Sequence, residues 1–184
     1  MYQTKDLIIR KATLLDRDDL FYNYWSQASQ AKYMLWSPID SLADAQTKIE
    51  KTISFQSENF AFVVCEKKSN KVIGLVGFLQ IEKDVYDDCG LGIGNEFTGK
   101  GYGTQILARL VKALFEEKSA SKVFCSAFEE NIGSLKMQEK CGFKFVKKED
   151  KVRAKDGYKY VCVLNQITRQ DYYDYIKNDI EKYL

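Results

Sequence analysis

Six of the eleven glycines in this 184-residue chain fall between Gly90 and Gly103. They end in Thr98-Gly-Lys-Gly-Tyr-Gly-Thr104, after which the pattern turns abruptly helical. Ile106, Leu107, Leu110, Val111 and Leu114 recur at the spacing of one helical face. The local reading is strand, glycine loop, helix. Glycine lets a ligand lie close to the backbone and permits positive φ. Unpaired N–H groups at a helix start, with the helix dipole behind them, favour an anion, most often a phosphate. The chemistry expected here is the grip of a phosphate-bearing cofactor, made mainly by backbone.

Two better-known phosphate loops fit less well. Gly94-Asn-Glu-Phe-Thr-Gly99-Lys100 matches the Walker A frame up to its lysine, but Gly101 stands where Ser or Thr should hold Mg²⁺. The dinucleotide frame GxGxxG also fails. Counted from Gly99 its third glycine arrives one residue early, at Gly103, and counted from Gly101 it falls on Ile106. A glycine-rich hairpin without a ligand accounts poorly for glycines that lead straight into an amphipathic helix.

The chain has no histidine. Ser-His-Asp and Cys-His hydrolysis are therefore excluded, and so are His-ligated metal sites; no metal centre is expected. Acid–base chemistry must use carboxylates, hydroxyls, Lys, Cys or water. The five cysteines are odd in number, dispersed and never CxxC, which reads as reduced thiols and a cytoplasmic setting. A net charge of +2 argues against a dedicated nucleic-acid surface. No apolar run approaches the ~20 residues of a membrane span, and the first residues lack a signal-peptide core.

The surrounding elements follow from periodicity and caps. Residues 7–11 read as a strand. Thr13–Asp16 has the form of a capping box opening a helix over 14–25, with Leu20, Phe21, Tyr24 and Trp25 inward. Tyr33–Pro38 reads as loop, and Ser41–Asp44 caps a helix to about Gln56. Strands follow at Phe60–Glu66, Val72–Ile81 and Val85–Gly94. On the last, Gly90, Gly92 and Gly94 alternate onto one face, which implies either that something packs there or that the strand carries a bulge. A helix over about 102–118 is followed by a strand at Lys122–Phe128 and a short helix from Asn131 to Lys140. Strands Phe143–Lys147 and Tyr158–Leu164, turned by Asp156-Gly157, precede a C-terminal helix capped at Thr168. No linker breaks residues 1–184, so one α+β (mixed α/β) domain is expected, its sheet antiparallel at the front.

That order, with Thr98–Thr104 after the fourth strand and Asn131-Ile-Gly-Ser-Leu-Lys-Met-Gln-Glu-Lys-Cys-Gly-Phe143 after the fifth, resembles the GNAT superfamily of acetyl-CoA-dependent N-acetyltransferases. The opening Leu-Ile-Ile-Arg, the Trp36-Ser-Pro38 loop and the Thr168–Asp171 ending are most similar to its RimJ/RimL-like branch. The resemblance covers nearly the whole chain. It implies a central, mostly antiparallel sheet of about seven strands, splayed between the fourth and fifth, and direct acetyl transfer from acetyl-CoA to a primary amine in a ternary complex. The acceptor would be a protein N-terminus or a small molecule, and the protein a monomer or homodimer with no nucleic-acid or membrane partner.

The resemblance also assigns roles. The backbone of Leu91, Gly92, Ile93 and Gly94 would hold the pantetheine arm and polarise the thioester. Thr98, Gly99, Lys100, Gly101, Tyr102, Gly103 and Thr104 would hold the pyrophosphate, although Thr98 stands where Gln or Arg is common. Asn131 and Ser134 would touch the arm. Asp88 would be the general base, with Glu129 or Glu130 as substitutes. Tyr33 and Trp36, with Trp25, would shape the acceptor pocket. Many members carry a tyrosine as general acid seven residues after the asparagine. Gln138 occupies that place and cannot act as an acid, which leaves Ser134 as the nearest hydroxyl. It also leaves a second reading: a CoA-binding sensor or partner-binding module that has lost turnover.

Overall fold

The computed structural model describes residues 1–184. The strands are β1 (Tyr2–Gln3), β2 (Leu7–Arg10), β3 (Phe60–Glu66), β4 (Lys71–Glu82), β5 (Val85–Ile93), β6 (Lys122–Phe128), β7 (Lys144–Val152) and β8 (Lys159–Thr168). They form one eight-stranded sheet in the order β1-β2-β3-β4-β5-β6-β8-β7. All neighbours are antiparallel except β5 and β6. The helices are α1 (Arg17–Leu20), α2 (Ala28–Ala31), α3 (Leu42–Glu58), α4 (Tyr102–Glu116), α5 (Ile132–Lys140), α6 (Arg169–Asp171) and α7 (Lys177–Ile180).

The helices cover both faces of the sheet. On one face α4 buries Ile106, Leu107, Leu110, Val111 and Leu114 against the strands. Each is at most 1% exposed, and each such side chain contributes about 1.5–3 kcal/mol by leaving water. On the other face Leu20, Tyr24 and Trp25 pack with Ala45 and Ile49 of α3. The Ser41 hydroxyl accepts from the Asp44 N–H at 3.1 Å and starts α3 as expected. The Asp16 carboxylate accepts from the Thr13 N–H, and the Asp171 carboxylate from the Thr168 N–H, so the two other capping boxes also form.

The splay is legible in the register. β5 and β6 pair only at Val85↔Lys122, Tyr86↔Val123 and Asp87↔Phe124. From Asp88 onward they part, and β6 continues its pairing with β8 alone. These are the fourth and fifth strands of the sequence reading. The sheet has eight strands where about seven were expected, because Tyr2–Gln3 adds a two-residue edge. β7 runs on to Val152, beyond the expected end at Lys147, through mostly exposed residues that carry no apolar alternation. The helix expected over 14–25 is a 3-10 turn, α1 and a π-helical turn at Phe21–Trp25.

Both expectations for the glycine face of β5 are met. The register shifts between Gly77 and Phe78, which leaves Cys89 as the extra residue of a bulge. What packs on the bare face is the chain itself. A Cβ on Gly92 would lie 2.1 Å from the Tyr24 hydroxyl oxygen, and one on Gly94 would lie 2.1 Å from the Asn23 carbonyl oxygen. These two glycines admit the π-helical turn, whereas Gly90, at φ +119°, faces open space.

Candidate active site

The loop ahead of α4 combines positive φ with unpaired donors. Gly99 and Gly101 have φ of 75° and 80°, and nothing lies within 4 Å of a Cβ built on either. The backbone N–H groups of Gly99, Lys100, Gly101, Tyr102, Gly103 and Thr104 donate to no atom of the chain; the first paired amide is that of Gln105, to the Gly101 carbonyl. This is a row of donors at a positive helix end, with glycines where a side chain would obstruct an approaching anion. The Thr98 hydroxyl closes the turn by donating to the Asn95 carbonyl at 2.7 Å.

Side chains of the loop face other tasks. The Tyr102 hydroxyl donates to the buried Glu66 at 2.8 Å, and that hydrogen bond and burial hold its pKa up at about 12. Tyr102 is thereby an anchor that contributes its amide. The Lys100 ammonium lies 3.6 Å from the same carboxylate and over the Phe97 and Tyr102 rings. A Cβ on Gly103 would meet the Met137 sulfur at 2.8 Å, so Gly103 lets α5 pack against the loop.

The strand side of the grip is selective. The Gly94 N–H donates to the Ile73 carbonyl at 2.7 Å. Antiparallel alternation then turns the Gly92 N–H toward β4 as well, and turns the amides of Leu91 and Ile93 toward the splay. Of the four residues expected to hold a pantetheine arm, Leu91 and Ile93 present the open main-chain groups.

A cavity of about 380 Å³ opens between the parted strands. Met137 lines it and also lies against Gly103 of the loop. Asp88, Asn131, Ser134, Tyr33 and Trp36 all line it, so the predicted site residues from distant segments converge. Glu129 and Glu130 do not; they engage Lys148 and the Tyr158 hydroxyl. Asp88 is the only carboxylate on the wall. Its oxygen accepts from the Ser126 N–H at 2.7 Å, which ties β5 to β6 where they part. Burial pushes the Asp88 pKa up to about 7, with Asp87 adding to the rise and the Ser126 N–H opposing it.

Gln138 is the hub that the sequence did not reveal. It is 1% exposed. Its amide nitrogen donates to the Ser126 carbonyl at 3.4 Å and to the Ser134 hydroxyl oxygen at 3.3 Å, and its carbonyl accepts from Asn165 at 2.7 Å. An amide can fill these roles at once, whereas a phenol cannot donate twice. Ser134 accepts from Gln138 and so keeps its own proton to donate. The Asn131 side chain caps α5 by accepting from the Ser134 N–H at 3.2 Å.

Aromatic side chains close the far end. Phe128 stacks on Tyr160 with ring centroids 3.7 Å apart, Tyr33 meets Phe128 edge-on, and Trp36 meets Tyr24 edge-on. The loop that carries Tyr33 and Trp36 is tied down from the β7–β8 connection. The Lys155 ammonium donates to the carbonyls of Ala31 and Trp36 at 2.7 Å each, and the Arg153 guanidinium donates to the carbonyls of Ala31 and Lys32 while holding Asp156.

A row of unpaired main-chain donors, a splayed parallel strand pair and a lone carboxylate where the strands part make up the candidate site. Residues 6–144 match the acetyltransferase (GNAT) domain family, and the chain belongs to it. The uncharacterized N-acetyltransferase p20 of Bacillus licheniformis is 27% identical over 143 residues, 76% of this chain and 80% of that protein. The spermidine N-acetyltransferase of Vibrio cholerae, solved with CoA and spermine, superposes with a TM-score of 0.76 at 19% identity over 92% of this chain and 99% of its own. The microcin C7 self-immunity acetyltransferase MccE, solved with acetyl-CoA and AMP, gives 0.76 at 20% identity over 89% and 93%. A GNAT-family acetyltransferase from Bacillus anthracis gives 0.81 at 19% identity over 92% and 98%. The fold is shared across this group. No helix is long and apolar enough to cross a membrane.

Proposed function

We propose that this enzyme moves the acetyl group of acetyl-CoA onto a primary amine by direct transfer in a ternary complex. What supports the proposal is the presence of two features in one chain: a row of unpaired amides ahead of α4, and a cavity between the parted strands with a single carboxylate on its wall. The amides of Gly99–Thr104 bind the cofactor's diphosphate. Leu91 and Ile93 align its arm and polarise the thioester carbonyl by hydrogen bonding. Asp88 takes the proton of the incoming ammonium, directly or through a water, the amine nitrogen bonds to the acetyl carbon, and the carbon–sulfur bond breaks. The second proton of the nitrogen, lost as the amide forms, reaches the leaving thiolate through Ser134 or water. A pKa of about 7 places the protonation change of Asp88 in the neutral range, where its ionised form can accept that proton. The free cysteines suit a reducing, cytoplasmic compartment.

The hydrogen-bonded Gln138 favours one alternative, a cofactor-binding module without turnover, because no phenol stands ready as an acid. Release of free thiol from acetyl-CoA in the presence of an amine library, with mass spectrometry of the products, separates the two. Acetylated amines are expected. Tight CoA binding with no thiol release would replace the enzyme with the module.

A further inference from the structure

The cavity wall carries two charged side chains, Asp88 and Lys48. Asp88 has a role in the transfer; Lys48 does not. It projects from α3 into the aromatic end of the cavity, where its ammonium lies 4.6 Å from the Trp36 ring centroid and 5.3 Å from that of Trp25. It finds no carboxylate and no carbonyl in the chain. Lys11 and Lys155, by contrast, each donate to backbone carbonyls. Burial lowers the pKa of Lys48 from the usual lysine range, the direction expected of a cation without a counter-charge. Ring faces offset part of its desolvation, and an anion would offset more.

Size and charge narrow the ligand further. The cavity of about 380 Å³ must take the reacting end of the cofactor as well as the acceptor, and the loop that carries Tyr33 and Trp36 is held in place by Arg153 and Lys155. A polyamine would bring a second cation against Lys48, with no other carboxylate on the wall to receive it. A dianionic phosphate would leave charge unneutralised beside a single ammonium among tryptophans.

We propose that the acceptor is a small amine that also carries a carboxylate, an amino-acid-like compound whose nitrogen faces Asp88 and whose carboxylate pairs with Lys48 between Trp25 and Trp36. This deepens the acetyl-transfer reading and rests on it. Lys48 sets specificity by neutralising one end of the acceptor, and the aromatic wall takes its apolar body.

The test uses ω-amino acids and dipeptides as free acids, the same compounds as carboxamides, and spermidine. Thiol release from acetyl-CoA is the readout. The free acids are expected to exceed their amides by roughly tenfold or more in kcat/KM, as one charge-assisted pair allows. Lys48→Met should bring that ratio close to one without changing CoA affinity by calorimetry, and Lys48→Arg should keep the preference. Amides or spermidine turned over as well as the acids by the unaltered enzyme would overturn the inference while leaving acetyl transfer standing. A folded Lys48→Met protein that still prefers the acids would overturn it too. If no compound is acetylated, calorimetry of the acids on CoA-loaded protein decides. Binding lost in Lys48→Met supports the carboxylate site and sinks acetyl transfer; no binding sinks the site.

Discussion

The loop Gly99–Thr104 and the cavity foot around Asp88, the two parts of the proposed site, are built from different material. The loop offers only main-chain amides, so its sequence requirement is for the absence of side chains at Gly99 and Gly101. The cavity foot acts through side chains drawn from β5, β6, α5 and β8, held by a hydrogen-bond network centred on Gln138. Backbone chemistry is local and tolerant of neighbours. Side-chain chemistry here depends on partners far apart in the chain, and each buried partner left unpaired costs roughly 1–3 kcal/mol.

The largest effect should come from placing charge on the backbone-built side. Gly101→Glu combines a left-handed φ, worth about 1–2 kcal/mol against an L-residue, with a carboxylate beside the diphosphate. Acetyl-CoA affinity measured by calorimetry should fall by about a thousandfold, whereas Gly101→Ala, which meets no atom within 4 Å, should cost about tenfold. Equal small losses for both would show that the loop does not hold the phosphates.

On the side-chain-built side, Asp88→Asn should lower kcat by about a hundredfold or more and leave CoA affinity unchanged, as loss of a general base does. The acting form is the carboxylate, so kcat/KM of the unaltered enzyme should rise with pH through about 7. That limb should vanish in the variant, and the deficit should shrink at high pH as the amine, with a pKa of ~10, loses its own proton. Stability supplies a second readout. A folded-state pKa above the ordinary carboxylate value means that the native state holds its proton more tightly. Stability should therefore fall as pH rises from about 4 to about 7, and Asp88→Asn should remove that fall in urea titrations. An unchanged pH profile of rate would move the base elsewhere.

The smallest effect sharpens the contrast between two kinds of glycine. Gly92→Ala drives a methyl to 2.1 Å from the Tyr24 hydroxyl oxygen and should cost about 1–3 kcal/mol of folding stability. Gly99→Ala meets no atom, so beyond the positive-φ penalty its cost should appear in cofactor affinity. Loss of stability in both alike would erase the distinction between a packing glycine and a ligand-facing one.

What the sequence disclosed follows the same division. The glycine turn, the helix behind it and the caps at Ser41 and Asn131 were legible because each is set by residues a few positions apart. Asp88 and Ser134 were named through a family resemblance, and the structure brings both to one cavity. The glycine face of β5 pointed outward to a ligand only at Gly90, since nothing local announces that the π-helical turn fills Gly92 and Gly94. Gln138 read as a missing tyrosine, because its three partners lie in β6, α5 and β8. Nothing in the sequence singles out Arg153, Lys155 or Lys48, since only tertiary packing sets them over carbonyls or tryptophan rings.

The central claim is that main-chain amides ahead of α4 hold the coenzyme's diphosphate. Titration of ¹⁵N-labelled protein with CoA, followed amide by amide, tests it directly. The N–H resonances of Gly99 through Thr104 should shift strongly and together, saturating at the calorimetric affinity. A saturable binding curve in which those amides stay still while others move would contradict the account.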